Sequence, residues 1–500
     1  MKIVQKITSP LDCPAFIDTH RQHPQDFTRR RQLTFKNLVL FLLNQPRTAL
    51  QTELDQFYRV LNQASAETQV VTAQAFSKAR SKLKPEVFES LNLALQQQID
   101  SPGLRQTWRG LRVLAVDGST VHLPLEPAME SFFGSHCEFP VARLSMLYDV
   151  ADGQTLHNLI VPTEVGERDC AHLHLAQVPA NSLTLFDRGY PGHWLFALFE
   201  QQRRHFLMRL PCGYNAQVKQ FLRSGQVEDT LFFAASHPEA RPFCTEAGVD
   251  PAARVKLQLI RVELAIGESE VLVTSLLDRQ AFPVAVFADL YHRRWGIETD
   301  YPRLKQTLCL DNFSGRSMVA VKQGFHARQL LRNLALLMQH PCNRSSSSAI
   351  RAKLRWKVNF TLGVSRLKNT LVDLLVRPCV PGLAKVLALM ANSLNAVRPG
   401  RSFPRQRKRL ASRGCEGYKP TRSETSSNAE LPRKKKGQTA AGTRSPRKRE
   451  TQPPRRVGLH QAGIRPAHAL DCGAKLVKAL LQPRAHVMGV LVPDGAGGLS

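Results

Sequence analysis

From about residue 106 the apolar pattern of this chain changes period, and that change constrains the fold more than any other feature. The runs "LRVLAVDGSTVHL", "ARLSMLYDV" and "TLHNLIVPTEV" are short, β-prone and closely spaced, which predicts three strands in an antiparallel meander. A helical stretch, "ERDCAHLHLAQV", then leads to a buried strand, "SLTLFDRGY", a helix, "HWLFALFEQQRR", and a strand, "HFLMRL". Strands followed by alternating strand and helix make a mixed α/β layer. Alternating runs such as "VKLQLIRVELAI" and "SEVLVTSLL" mark residues 211–285 as a β-rich insertion, after which the pattern returns to helix.

Upstream, "FKNLVLFLLNQ", "ALQTELDQFYRVL" and "AFSKARSKLKPEVFESLNLALQQQ" space their apolar residues three or four apart, so residues 1–105 read as a small helical domain. Thr72 is placed to cap the helix of "VTAQAFSKARSKL", whose Lys78, Arg80, Lys82 and Lys84 suit either a solvated surface or a DNA-facing helix. The resulting division is 1–105 helical, 106–210 first part of the core, 211–285 insertion, 286–398 second part of the core with C-terminal helices, and 399–500 tail. The tail is rich in Arg, Lys, Pro, Ser and Gly and is expected to be disordered, because such a composition buries too little apolar surface to fold alone.

Charge narrows the partners. The 500 residues carry a formal charge of +29, and residues 401–500 alone hold 22 basic against 6 acidic residues. A balance this basic points to a polyanion, nucleic acid before membrane. No apolar run reaches the roughly 18 to 20 residues needed to span a bilayer, and "MKIVQKITSP" lacks the core of a signal peptide, so a cytoplasmic location is expected. The ten cysteines show no CxxC pair and no zinc spacing, and read as reduced thiols.

Two aspartates stand where strands are expected to end: Asp117 after "VLAV", followed by Gly118, and Asp187 after "LTLF", followed by "RGY". Alone, each is also what an ordinary turn shows. The segment "YHRRWGIETDYPRLK" adds a third carboxylate. On one continuous helix, Tyr291, Arg294, Glu298 and Lys305 share a face, since offsets of 0, 3, 7 and 14 fall within roughly 60° of one another. An amphipathic surface helix with an ion pair would have the same spacing. If Asp117, Asp187 and Glu298 converge, their mutual repulsion calls for a hard cation, and Mg²⁺ held by few carboxylates keeps positions open for phosphate oxygens and water. Arg294 would then suit a phosphate, Lys305 a point charge, and Tyr291 a phosphate or a base. Trp295 is expected to be a core anchor, and Pro302 to kink the helix and displace Lys305.

In order and context, "AVDGSTVHL", "LFDRGYPGHWLF" and "YHRRWGIETDYPRLK" resemble the three catalytic segments of DDE transposases of bacterial insertion sequences. The last fits the Y-x2-R-x3-E-x6-K signature of the insertion-sequence-four family without a gap. The likeness runs from about residue 71 to about residue 409. It implies an RNase H-like core interrupted by a β-rich insertion, with Asp117, Asp187 and Glu298 as a metal-binding catalytic triad. Two Mg²⁺ ions would serve it, with Mn²⁺ as a substitute. Tyr291, Arg294, Lys305 and Arg209 would lie at the DNA, and the helical N-terminal domain would bind it. The implied activity is cut-and-paste transposition by a homodimer on paired terminal inverted repeats, joining them to target DNA in the bacterial nucleoid. A nuclease without strand transfer and an inactive DNA-binding relic are the other readings.

Overall fold

The computed structural model describes residues 2–397 except 45–47, 100–104, 137–138, 235–240, 264–267, 349–354 and 369. The tail expected to be disordered therefore lies outside the described residues. Six helices come first: α1 (Lys2–Thr8), α2 (Pro14–His20), α3 (Phe35–Leu43), α4 (Leu50–Leu61), α5 (Ala73–Arg80) and α6 (Glu86–Ile99). Their starts follow capping chemistry: Thr34 Oγ1 accepts the Asn37 amide at α3, and Thr72 Oγ1 accepts the Ala75 amide at α5.

The sheet then begins with β1 (Arg112–His122), followed by α7 (Pro127–Phe133), β2 (Ser135–His136), β3 (Phe139–Asp149) and β4 (Thr155–Pro162). Next come α8 (Glu167–Leu175), β5 (Ser182–Phe186), α9 (His193–Gln201) and β6 (His205–Leu210). Spatial order through the core is β4-β3-β1-β5-β6, with β3 antiparallel to both β4 and β1, and β5 parallel to both β1 and β6. Three antiparallel strands joined to two parallel ones in this order are the RNase H-like arrangement expected from the sequence. The helix α7 and the two-residue β2, between β1 and β3, had no sequence signal strong enough to anticipate.

The insertion widens this same sheet. After α10 (Ala216–Ser224) come β7 (Glu228–Ala234), α11 (Arg241–Glu246), β8 (Arg254–Glu263) and β9 (Ser269–Thr274). Strand β9 pairs antiparallel with β6, and β8 and β7 follow outward, giving nine strands in one sheet among the described residues. The chain then returns through α12 (Phe287–His292) and α13 (Trp295–Thr307) to the long α14 (Met318–Ser348). A small hairpin of β10 (Arg355–Val358) and β11 (Leu394–Val397) encloses α15 (Phe360–Leu367), α16 (Thr370–Val376) and α17 (Val380–Ala391).

Alternation along the strands divides the core. Leu114, Val116 and Phe186 pack with α9 on one face, whereas Val113, Ala115, Leu183 and Leu185 join the helical side that contains α3, α6 and α14. The apolar side chains of the first six helices are continuous with this second core. Arg80 is one clasp: it is 4% exposed and donates to Gln323 Oε1 (2.7 Å), Ser314 Oγ (3.0 Å) and the Ala320 carbonyl (2.8 Å). Of the basic run read as a surface or DNA-facing face, Arg80 is thus interior, Lys82 pairs with Asp26 and Lys84 donates to the Thr19 carbonyl. Among the described residues no helix is long and apolar enough to cross a membrane.

Candidate active site

The two aspartates are brought level by strand register. Strands β1 and β5 pair from Arg112↔Ser182 to Ala115↔Leu185 at a constant offset, which carried two residues further sets Asp117 beside Asp187. The position of Asp117 differs from the expectation in one respect. Strand β1 does not end there but continues to His122, with Asp117 opposite Met146 of β3. What ends is β5, at Phe186, so Asp117 loses its neighbour on that side and the sheet opens next to it. Adjacent strands lie about 4.8 Å apart, which puts the two carboxylates within short range.

Glu298 arrives from the first turn of α13. Burial pushes the Asp117 carboxyl up to about 6, opposed by its hydrogen bond from the Gly118 amide and by Arg294, and reinforced by the negative charges of Glu298 and Asp187. All three carboxylates therefore share one electrostatic site. The Tyr301 hydroxyl, three residues beyond Glu298 on α13, donates to the Asp117 carbonyl oxygen at 2.7 Å and ties that helix to β1.

The segment from Tyr291 to Lys305 is not one helix. Residues 293–294 form a tight turn between α12 and α13, so the common face predicted for four side chains is broken. Tyr291 is 7% exposed, and its hydroxyl donates to the Phe186 carbonyl at 3.2 Å, which anchors α12 at the end of β5 beside Asp187. Arg294 lies over the Tyr291 ring, 5.7 Å from its centroid, and reaches both acids: Nη2 is 2.5 Å from Glu298 Oε1 and 4.0 Å from Asp187 Oδ1.

Lys305 is half-buried, with its amine lowered by desolvation and partly restored by Asp311, its charged neighbour two turns from the triad. Pro302 does not end α13, which runs through it to Thr307. Arg209 on β6 pairs with Glu270 at 2.8 Å and lies close enough to affect Tyr291 electrostatically. Trp295, read as a core anchor, is instead 52% exposed at the start of α13, because the turn before it swings its side chain outward.

A fourth carboxylate escaped the sequence reading. Glu167 opens α8 and pairs with Arg143 at 3.3 Å. Its Oε2 lies 2.8 Å from where a Cβ at Gly189 would stand, and its Oε1 is 3.6 Å from the corresponding point at Gly118, so it lies between the two aspartate loops. A side chain at the glycine of "DRGY" would push the Glu167 carboxylate aside. The signal was a capping pattern, with Asp169 accepting the Gly166 amide, that marked the helix start but not its location.

Among the described residues no three His, Cys, Asp or Glu side chains close on a single metal-sized point. The Arg294 guanidinium stands between Asp187 and Glu298. The donor set itself, three carboxylates with one held protonation-prone by burial, has the all-oxygen chemistry that suits a hard divalent cation.

A family model described as a transposase DDE domain matches residues 108–334. The transposase InsG for insertion sequence element IS4, of Escherichia coli K12, is 26% identical over 253 residues, which are 49% of this chain and 56% of that protein. A second protein of the same strain, named "Putative transposase InsZ", is 31% identical over 114 residues, 21% of this chain and 38% of its own length. The chain thus spans little more than half of one relative and less than half of the other. A solved structure, the piggyBac transposase synaptic complex with hairpin DNA, overlays with a TM-score of 0.36 at 11% identity, covering 80% of this chain and 84% of that one. DDE domains of this family use divalent metal ions. The strand order and the level aspartates agree with that match, so residues 108–334 are similar to the DDE domain of insertion-sequence transposases.

Proposed function

We propose that this chain is a transposase that binds the terminal inverted repeats of its own mobile element, cleaves the DNA to free 3′ hydroxyls and joins those ends to target DNA. The observation that carries this reading is the register that sets Asp117 beside Asp187, with Glu298 inside the same electrostatic site. These three residues would hold Mg²⁺, or Mn²⁺ in its place, as two ions. When bound, such ions supply Lewis acidity to an in-line attack on phosphorus, first by water and then by a 3′ hydroxyl.

The chain's own residues do the rest. Asp117 is fixed by strand pairing and by Tyr301 on its backbone, and Asp187 by Tyr291 at the end of β5, so the acids keep their spacing through the reaction. Arg294 offers a fork suited to a phosphodiester, and Arg209, close to Tyr291, and Lys305, two turns along α13 from Glu298, would add positive charge for the DNA backbone. Trp295, exposed beside them, offers an aromatic face to an unstacked base. Residues 1–105 would grip DNA through exposed basic positions such as Arg29, Arg30 and Arg31, and a homodimer would pair two element ends in the nucleoid.

The test is cleavage of duplex DNA carrying the element's ends, comparing wild type with Asp117→Asn, Asp187→Asn and Glu298→Gln. Metal-dependent 3′ ends from wild type, with each variant binding DNA normally and cutting at least a hundredfold more slowly, supports the reading. Wild-type cleavage without any joined product identifies a nuclease instead. Binding without cleavage under any divalent metal identifies a relic.

A further inference from the structure

Arg294 is set differently from an arginine that waits at a surface for DNA. Its side chain is 5% exposed, packed on Tyr291 and engaged through one nitrogen with Glu298 at 2.5 Å and Asp187 at 4.0 Å. Its other nitrogens, Nε and Nη1, are buried without a well-formed hydrogen bond among the described residues. The guanidinium is therefore placed for charge and left short of acceptors.

A divalent ion ligated by Asp187 and Glu298 would need carboxylate oxygens at about 2.0 to 2.1 Å for Mg²⁺. A guanidinium that already holds one of those oxygens, and carries positive charge of its own, competes directly for that position. We propose that Arg294 is a displaceable counter-cation: in the DNA-free chain it stands in for the metal between Asp187 and Glu298 and opposes metal loading until an external anion draws it away. This rests on the reading of Asp117, Asp187 and Glu298 as a metal site.

The chemistry of the displacing anion follows from the two unsatisfied nitrogens. A phosphodiester offers several oxygens to a planar fork, satisfies both, and so takes the guanidinium off the carboxylates. Metal and DNA are then coupled through one side chain, and by linkage each tightens the other's binding by the same factor. An enzyme built this way carries little metal at its carboxylates before it holds DNA, which limits stray cleavage.

The experiment measures Mn²⁺ binding calorimetrically to the full chain, without and with a short duplex bearing a terminal phosphate. The proteins are wild type, Arg294→Gln, Asp187→Asn and the double variant. Without DNA, Arg294→Gln is expected to bind Mn²⁺ about tenfold more tightly than wild type, within the usual range of allosteric coupling. The duplex should tighten wild type by a similar factor and leave Arg294→Gln nearly unchanged, and Asp187→Asn should remove the gain in the double variant.

If Arg294→Gln binds Mn²⁺ no better than wild type while Asp187→Asn weakens binding, the counter-cation is wrong and the metal site stands. If Asp187→Asn leaves Mn²⁺ binding unaltered in both backgrounds, the metal-site reading and the counter-cation fail together. Arg294→Lys is the second variant should the glutamine protein lose its native circular dichroism. It keeps the charge without the fork and is expected to bind Mn²⁺ more weakly than Arg294→Gln, whereas binding as tight as Arg294→Gln would overturn the proposal.

Discussion

Replacing Asp300 with alanine tests how Glu298 is held. Asp300 sits two residues after Glu298 on α13 and forms a 2.7 Å ion pair with Arg332 of α14, the two side chains being 3% and 1% exposed. Arg332 also donates to the Gly153 carbonyl at 2.7 Å, Asn333 Oδ1 at 3.0 Å and Thr155 Oγ1 at 3.2 Å, so the pair joins α13, α14 and the β3–β4 turn. Removing one partner of a buried pair destabilises by roughly 3 to 5 kcal/mol, because the remaining charge is uncompensated. Here Asp300 Oδ2 makes no well-aligned hydrogen bond and Arg332 keeps its neutral acceptors, so the lower end, about 3 kcal/mol, is expected. Urea unfolding followed by circular dichroism measures it, and the double variant Asp300→Leu/Arg332→Met should recover most of the loss. A loss below about 1 kcal/mol for Asp300→Ala, or no recovery in the double variant, would refute the argument that this pair fixes α13.

Arg80→Ala should destabilise by about 2 to 4 kcal/mol, since it strips three acceptors of one buried donor group, and Arg80→Lys should recover little because the fork is lost; thermal melts of both check this. Acid should weaken the fold in a defined window. Burial lowers His157 to about 4 and His326 to about 3 and puts His174 well below its ordinary value, so the unfolded chain binds more protons below pH 6.5 and stability falls from there towards pH 4. His157 alone accounts for about 3 kcal/mol over that range, while Asp117, raised to about 6, and Asp311, also raised by burial, work the opposite way against six histidines that burial lowers. Stability that stays flat between pH 7 and pH 4.5 contradicts the burial of these rings. Replacing Arg29, Arg30 and Arg31 with glutamine should reduce the slope of log affinity against log salt for duplex DNA by about 2 to 3, and an unchanged slope removes that loop from the interface.

What could be read from the chain divides along physical lines. The strands around Asp117 and Asp187 were legible because buried parallel strands are continuous apolar runs, and an aspartate directly after such a run stands out. The break between α12 and α13 was not, since "YHRRWGIE" places no proline at the turn and its only glycine, Gly296, lies beyond it. A continuous helix puts Tyr291 on the face of Glu298 and leaves Trp295 to the core, whereas the break holds the Tyr291 hydroxyl at the Phe186 carbonyl and leaves Trp295 exposed. Arg80 shows a second limit: a basic residue in a run of lysines has the pattern of a surface, and only the acceptors Gln323, Ser314 and Ala320, more than 230 positions away, make it interior. Glu167 likewise reaches the site through tertiary packing alone.

The most direct test of the central claim, that Asp117, Asp187 and Glu298 hold a divalent ion for DNA cleavage, is metal rescue of a cysteine variant. A thiolate is a poor ligand for Mg²⁺ but a fair one for softer Mn²⁺. Asp187→Cys is expected to bind DNA ends as wild type does, to be inactive with Mg²⁺ and to regain cleavage with Mn²⁺, whereas Asp187→Ala stays inactive with both. Cleavage by Asp187→Ala at the wild-type rate, or failure of Mn²⁺ to restore any cutting by the cysteine variants at all three positions, would contradict the account.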